Sequence, residues 1–172
     1  MNNPECHITV IPYGELRQNH ERHLLLDCLN IREQVFCEEQ GVSYLIDQDG
    51  KDNESGHILL WDQDTPIGTL RFRKTGEGLK LERIAVLKPF RGLHYGKSLV
   101  IAGIQAARNA GNNEPVYLHA QKPACEFYLG MGFTVEGETF MEADIPHVLM
   151  RLSAEAESAL LATSTDICPI LP

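Results

Sequence analysis

The sequence predicts an α/β fold in which one mixed sheet carries a central parallel strand pair and helices on both faces. Short β-branched runs separated by turn residues predict an antiparallel meander over residues 57–87. An apolar helix over residues 95–110 then leads to a buried-type strand at 115–120. Because that helix is a crossover, the strands on either side of it should run parallel.

The other elements follow in chain order. We expect a strand at 7–13 and a helix at 19–37, with Asn19 as its N-cap and apolar residues at helical spacing. The meander strands lie at 57–61, 66–74 and 79–87. Pro123 begins a short helix, strands follow at 133–138 and 148–152, and a helix at 153–162 precedes a loose tail. We therefore assign one domain to residues 1–152 and a C-terminal helix and tail to 153–172.

Composition is ordinary for a globular protein, with 43% hydrophobic and 23% charged residues in 172. Without a signal peptide or an apolar run of about 20 residues, a cytoplasmic location and no membrane contact are expected. The five cysteines are scattered, so in a reducing compartment we expect small buried hydrophobes. Neither cysteines nor histidines cluster at ligand spacing, so no metal is predicted.

Charge is distributed unevenly along the chain. The net charge of −9 argues against nucleic-acid binding. Residues 71–97 hold most of the basic residues, whereas residues 38–64 are rich in carboxylates and have only Lys51 against them. The basic segment could bind an anion and the acidic segment a cation. The alternative, that both segments are simply solvated surface, stays open.

A strand, a basic glycine-bearing loop and a helix start follow one another over residues 81–98. Free N–H groups and the helix dipole make such a junction an anion site, most often for phosphate. The loop is no P-loop, since only three residues separate Gly92 from Gly96, and the spacing of a dinucleotide fingerprint is missing as well. An acidic run at 47–52 has its glycine at the wrong position for an EF-hand.

Two motifs resemble those of the GNAT acetyltransferase superfamily. Arg91-Gly-Leu-His-Tyr-Gly96 resembles its Arg/Gln-x-x-Gly-x-Gly/Ala loop for acetyl-CoA. Ala124-Cys-Glu-Phe-Tyr128-Leu-Gly-Met-Gly-Phe133 is similar to its Ala-x-x-Phe-Tyr-x-x-x-Gly-Phe segment, and it follows about 30 residues later in the expected order. His94 departs from the signature, which has a glycine there. We expect His94 to be accommodated with a negative φ.

The resemblance implies an acetyl-CoA-dependent N-acetyltransferase in which a primary amine attacks the thioester directly. Loop N–H groups with Arg91 and Lys97 would hold the pyrophosphate, and main-chain groups of the preceding strand would pair with the pantetheine arm. The arm would lie in the gap where the two central parallel strands splay apart. The implied cofactor residues are Ile84, Ala85, Val86, Arg91, Gly92, Leu93, His94, Tyr95, Gly96, Lys97, Ser98 and Phe127.

Two residues are the candidate catalysts. Tyr128 matches the family tyrosine that donates to the departing sulfur, although it could be a core aromatic. Glu82, on the strand bordering the cofactor, is the candidate base through water, although it could simply pair with Arg71 or Arg83. His119 and His147 are weaker candidates for the base.

The N-terminal region leaves other functions open. Arg32-Glu-Gln-Val-Phe36 with the later Glu-Gln-Gly41 and the aspartates at 47, 49 and 52 resembles an uncharacterised GNAT branch. It is also similar to acyl-homoserine lactone synthases, which use S-adenosylmethionine and an acyl carrier. A non-enzymatic acyl-CoA sensor is a third hypothesis. Carboxylates in 38–64 and 136–144 suggest a small cationic amine or lysine as acceptor, and a homodimer is one expectation.

Overall fold

A computed structural model describes residues 6–13, 19–163 and 168–171. Seven strands form one sheet in the order β1-β2-β3-β4-β5-β7-β6. Their bounds are β1 Cys6–Ile11, β2 Gly56–Asp62, β3 Thr65–Thr75, β4 Gly78–Val86, β5 Val116–Gln121, β6 Phe133–Glu142 and β7 Ile145–Leu152. The helices are α1 Asn19–Arg32, α2 Tyr44–Asp47, α3 Tyr95–Asn109, α4 Cys125–Leu129 and α5 Ala154–Ala162.

The predicted parallel pair is β4 and β5, and it is paired over only three positions. Leu79 lies opposite Val116, and the last pair joins Leu81 to Leu118. Beyond that point both strands continue, β4 to Val86 and β5 to Gln121, without pairing to each other. The central splayed pair predicted from sequence is therefore confirmed.

A bulge in β4 accompanies this divergence. Thr69 of β3 lies opposite Ala85, whereas Arg71 lies opposite Glu82, so Arg83 and Ile84 together face one residue of β3. Arg83 has a φ of 54°, in the left-handed region. Since a bulge adds residues to one strand only, it bends that strand and strengthens its twist. The bend turns β4 away from β5 at the last paired residues.

Helices cover both faces of the sheet, as predicted. On one face α3 lies against β3, where a Cβ on Gly103 would come within 2.7 Å of a Leu70 methyl. On the other face α1 buries Cys28 and Ile31 against Leu59 of β2. The small residues of α3 allow the close approach that the sequence indicated.

Two boundaries differ from the prediction. The helix expected at 19–37 is α-helical only to Arg32, and Glu33–Glu39 continue it as a π-helix. The predicted N-cap side chain of Asn19 lies outside the described residues. The loop predicted between 138 and 148 is a hairpin, because Ala143 and Asp144 both adopt positive φ and form a two-residue turn.

The predicted loose tail is wrong for its described part. Cys168 forms a disulfide with Cys6, and Ile8 exchanges backbone hydrogen bonds with Pro169 and Leu171 at 2.9 Å each. Residues 164–167 and 172 of that tail lie outside the described residues. The prediction that all cysteines are free buried hydrophobes is also wrong for this pair. A separation of 162 residues leaves no local spacing that could have shown it.

Further predictions concern the surroundings of the chain. No helix among the described residues is long and apolar enough to cross a membrane. The cytoplasmic location, the domain division at residue 152 and the homodimer stay predictions.

Candidate active site

A cavity of about 270 Å³ opens where β4 and β5 diverge. Such a volume lies near the lower end of small-molecule sites, which are about 300–1,000 Å³. The cavity lies between the π-helix, the divergent strands, α4 and the β6–β7 hairpin. Polar side chains that line it include Lys80, Glu82, Arg83, Arg91, His119, Gln121, Tyr128, Glu142 and His147. Both candidate catalytic residues, Glu82 and Tyr128, therefore line one cavity.

The basic loop lies beside this cavity and ends at the start of α3. The N–H groups of Lys97 and Ser98 already donate to the His94 carbonyl, at 3.0 and 3.2 Å. A bound anion would therefore draw on the N–H groups of Leu93 to Gly96, earlier in the turn. The loop leads into a helix start as the sequence predicted, while anion binding there stays a prediction with a narrower set of donors.

His94 has a φ of +63°, so the expected negative φ is wrong. The chain must turn sharply before α3, and glycine adopts this left-handed conformation without the clash of a Cβ. Another residue there stores strain of about 1 kcal/mol or more. His94 therefore occupies the position for which the family signature has glycine, in the conformation that glycine favours.

Arg91 and Phe127 make specific contacts around the loop. Arg91 Nε donates to the Val86 carbonyl at 2.8 Å, and its Nη2 lies 3.0 Å from Glu39. The Val86 carbonyl, predicted to pair with pantetheine, is thus already used. A Cβ on Gly96 would lie 2.9 Å from the Phe127 ring, so Phe127 packs directly on the start of α3.

Tyr128 lies on α4 with only 8% of its surface exposed. Its ring makes edge contacts with Phe127 and Phe133, with centroids 5.0 and 5.8 Å apart. Burial, with a smaller effect from Cys125, raises the pKa of its hydroxyl well above its usual value. The hydroxyl stays protonated at neutral pH, as a donor to sulfur must.

Glu82 is held by three cations. Its carboxylate lies 2.9 Å from Arg71 Nη2 and 3.4 Å from Lys80 Nζ, and it also accepts from Arg73 Nε. Burial opposes the charged form, but attraction to Arg71, with smaller effects from Arg73 and Lys80, outweighs it and lowers the pKa of Glu82. A carboxylate stabilised in this way is a weak base, so the structure favours the alternative of pairing with Arg71.

A buried ionic layer explains the acidic segment. Arg32 of α1, which has no exposed surface, pairs with Asp47 at 2.9 Å and Asp52 at 2.6 Å. Arg71 pairs with Asp49 and Asp52 at 2.6 and 2.9 Å. These aspartates are neither a cation site nor a solvated face, because arginines from distant segments neutralise them.

Arg83 joins the same layer. It lies 3.1 Å from Asp47 and 3.4 Å from Asp49, and no ion pair with Glu82 is found among the described residues. The sequence gives one indication of this layer. Arg32 follows Ile31 beside the apolar stripe of a predicted helix, and an arginine buried there needs carboxylate partners.

A polar pair at the hairpin side of the cavity was not predicted. His119 Nδ1 of β5 lies 2.8 Å from Glu142 Oε2 of β6, and His147 lines the cavity nearby. Within the described ranges, no group of His, Cys, Asp and Glu side chains could hold a metal ion.

The splayed parallel pair, the loop at the start of α3 and the cavity beside them match the fold of acyltransferase structures. The chain belongs to the acetyltransferase (GNAT) family, whose model matches residues 22–133.

Relatives and solved structures agree with this assignment. The chain is 38% identical over 137 residues to the uncharacterized N-acetyltransferase YjcF of Bacillus subtilis, covering 78% of this chain and 95% of that protein. The crystal structure of Escherichia coli ElaA has a TM-score of 0.71 at 29% identity, over 87% of this chain and 99% of ElaA. An acyl-CoA N-acyltransferase from Pseudomonas aeruginosa has a TM-score of 0.71 at 27% identity, over 86% and 99%.

Two more distant structures bear on the hypotheses from sequence. The CoA-dependent acyl-homoserine lactone synthase BjaI has a TM-score of 0.70 at 14% identity, covering 97% of this chain and 94% of BjaI. A candidate streptothricin acetyltransferase of Bacillus anthracis, solved with acetyl coenzyme A, has a TM-score of 0.50 at 24% identity, over 57% and 61%. At these identities the likeness shows the fold alone.

Proposed function

We propose that this protein transfers acetyl from acetyl-CoA to a primary amine by direct attack on the thioester. The observation that carries the proposal is the divergence of β4 from β5 beyond Leu81 and Leu118, which opens a cavity beside the loop at the start of α3. No covalent enzyme intermediate is needed, because the cavity brings donor and acceptor together.

The cofactor would bind along the unpaired edge of β4. Beyond Leu81 that edge has no partner strand on the β5 side, so the main-chain groups of Ile84 are available to an amide-bearing pantetheine arm. Those of Ala85 face Thr69 of β3. The pyrophosphate would then reach the N–H groups of Leu93 to Gly96, where the helix dipole favours negative charge. Phe127 would cover the junction between arm and loop.

Tyr128 would act on the leaving group. The attacking amine must be neutral, and the sulfur that departs needs a hydrogen-bond donor. Tyr128 meets that need because a tyrosine hydroxyl is protonated at neutral pH and because Tyr128 lines the cavity that the thioester would enter.

The acceptor proposed is a small primary amine or a lysine side chain. Support for a cationic acceptor from residues 38–64 is weakened, because Asp47, Asp49 and Asp52 are paired with arginines. Glu142 is a carboxylate that lines the cavity itself. The size of the cavity favours an acceptor that places only its amine and a short chain beside the thioester.

Thiol release from acetyl-CoA tests the proposal with a panel of polyamines, amino sugars, lysine peptides and neutral amines. Transfer to at least one amine is expected. Tyr128→Phe should lower kcat by about 100-fold or more with acetyl-CoA affinity little changed, since only the donor is lost.

The control is Tyr44→Phe, which changes an exposed tyrosine on α2. Acetyl-CoA binding without turnover by the wild-type protein would instead support the sensor hypothesis. Thiol or carrier release that requires S-adenosylmethionine would support the lactone synthase.

A further inference from the structure

The His119–Glu142 pair lies where the chemistry of an acyl transfer would take place. His119 follows Leu118, the last residue of β5 that pairs with β4, so it stands at the point where the two strands begin to diverge. Glu142 comes from the hairpin that closes the same cavity. Strand β5 and the hairpin thus place an imidazole and a carboxylate together, although the two residues are 23 positions apart in the sequence.

The contact with Glu142 determines which nitrogen of the His119 ring carries the proton. Glu142 is a carboxylate with a pKa lowered to about 2, chiefly by its hydrogen bond to His119, so it stays ionised. An ionised carboxylate only accepts, so Nδ1–H of His119 is the donor across the 2.8 Å contact. In the neutral ring the lone pair is then on Nε2. No hydrogen bond to Nε2 is found within the described parts of the chain.

Packing holds the ring in place. Phe140 contacts the imidazole edge-on, with centroids 4.9 Å apart, and the Tyr117 ring lies 5.9 Å away. The His119 side chain keeps 23% of its surface exposed, as an imidazole that exchanges protons needs. The ring is therefore oriented by two aromatic neighbours and a carboxylate, yet still reachable from the cavity.

The other candidate bases are less suited. Glu82 is stabilised as an anion by three cations. His147 is 7% exposed, and its Nδ1 lies 2.8 Å from the Ile145 carbonyl. A neutral carbonyl supports a developing imidazolium less than a carboxylate does. Of the three candidate bases, Glu82, His147 and His119, only His119 has both an anionic partner and a partly exposed imidazole.

We propose that His119 is the general base of this active site and that Glu142 is its positioning residue. The proposal rests on the proposed acetyl transfer. Nε2 of His119 takes a proton from the bound ammonium, and the neutral nitrogen forms a bond to the thioester carbon. As the C–S bond breaks, the sulfur takes a proton from the Tyr128 hydroxyl, which regains one from the nitrogen. The imidazolium then releases its proton to water.

Several charged groups face His119 from the surrounding elements. Glu142 and His147 lie on the hairpin, Lys80, Glu82 and Arg83 on β4, Asp47 on α2 and Arg91 in the loop before α3. Lys80 is 3.4 Å from Glu82 and also contributes to the lowered pKa of Glu142. Because a general base must be neutral to accept a proton, the rate should rise with pH and then level off.

The test uses His119→Gln, with acetyl-CoA and the panel amine that the wild-type protein acetylates fastest. We expect kcat to fall at least about 100-fold, the rise of rate with pH to disappear, and acetyl-CoA affinity from calorimetry to stay unchanged. Added imidazole should restore part of the rate to His119→Ala, since it can occupy the space left by the ring.

Glu142→Gln tests the positioning role. It should keep the rise with pH but move its midpoint to lower pH, because the imidazolium loses its anionic partner. A ¹H–¹⁵N spectrum of the histidine rings should show Nδ1–H for His119 in the wild-type protein.

His23→Gln, on the exposed side of α1, is the control and should change neither rate nor pH profile. Wild-type kinetics in His119→Gln, or loss of the pH dependence in His147→Gln instead, would overturn the assignment of the base. Failure of the wild-type protein to acetylate any panel amine is a separate outcome, which would overturn the proposed function and this inference with it.

Discussion

The loop before α3 and the buried ionic layer both adjoin β4, but the two are built from different kinds of groups. The loop, residues 88–98, is contiguous in sequence and presents mainly backbone groups to a ligand. The ionic layer joins Arg32, Arg71 and Arg83 to aspartates at 47, 49 and 52, all of them side chains from separate segments. A contiguous motif can be recognised from its spacing, whereas a layer of side chains exists only once the chain is folded.

The ionic layer should be much more sensitive to single substitutions than the loop. Arg71→Met removes the guanidinium that Asp49, Asp52 and Glu82 share, leaving carboxylates buried without their partner. We expect a loss of about 3–5 kcal/mol in the free energy of unfolding, measured by urea denaturation. Arg71→Lys keeps the charge and should lose less, which separates charge from packing if the methionine variant does not fold.

Lys74→Met is the matched control, since Lys74 pairs with Glu114 across 2.9 Å on the surface with 66% of its side chain exposed. It should change stability by less than about 1 kcal/mol. Equal effects of the two substitutions would remove the distinction between the buried layer and a surface pair.

The same layer gives stability a dependence on pH. Burial opposes ionisation of Asp49 and Glu82, but their arginine partners outweigh it and lower the pKa of both. A lowered folded-state pKa stabilises the fold above the unfolded pKa, and that contribution is lost as the pH falls through the folded-state value. Stability should therefore decline below about pH 4, and the decline should be shallower in Arg71→Met.

The disulfide between Cys6 and Cys168 is a second link between residues far apart in the sequence. Its removal should have the next largest effect on the free energy of unfolding. Cys168→Ser should lower the free energy of unfolding by about 2–4 kcal/mol, because the unfolded chain is no longer cross-linked. Cys125→Ser, which changes a free and half-buried cysteine, should cost less. If a reducing agent lowers the stability of Cys168→Ser as much as that of the wild-type protein, the cross-link is not the cause.

The smallest effect should come from the loop. His94→Gly places glycine at a φ of +63° and should raise the free energy of unfolding by up to about 1 kcal/mol, as relief of strain exceeds the added freedom of the unfolded chain. Acetyl-CoA should bind at least as tightly, since the backbone loses a Cβ. Gly92→Ala, at a φ of +80° with open space around it, should do the opposite. A destabilised His94→Gly would show that the side chain makes contacts that outweigh the strain.

The sequence was most informative where neighbours in the chain are also neighbours in space. The spacing of Arg91 and Gly96, followed by Phe127 and Tyr128, indicated the loop, the helix start and the family. The meander and crossover indicated the parallel pair. The φ of His94 was the local error, because residue type alone biases the conformation of a loop without deciding it.

The roles of ionisable side chains were less predictable. Glu82 was the candidate base, yet Arg71, Arg73 and Lys80 surround it in the fold. His119 was a weaker candidate, yet the hairpin brings Glu142 to its ring. The electrostatic environment of a side chain depends on its charged neighbours in space. Those neighbours lie at irregular distances along the sequence, so no spacing pattern reveals them.

The sequence by itself determined the order of strands and helices, the crossover that makes β4 and β5 parallel, and the glycine-bearing loop at the start of α3. Those features follow from backbone geometry and hydrophobic period, which act between residues a few positions apart. Only the tertiary structure decided which charges neutralise one another, that Cys6 meets Cys168, and that His119 faces Glu142. Coulombic and covalent pairing depend on distance in space, and the folded sheet alone sets that distance.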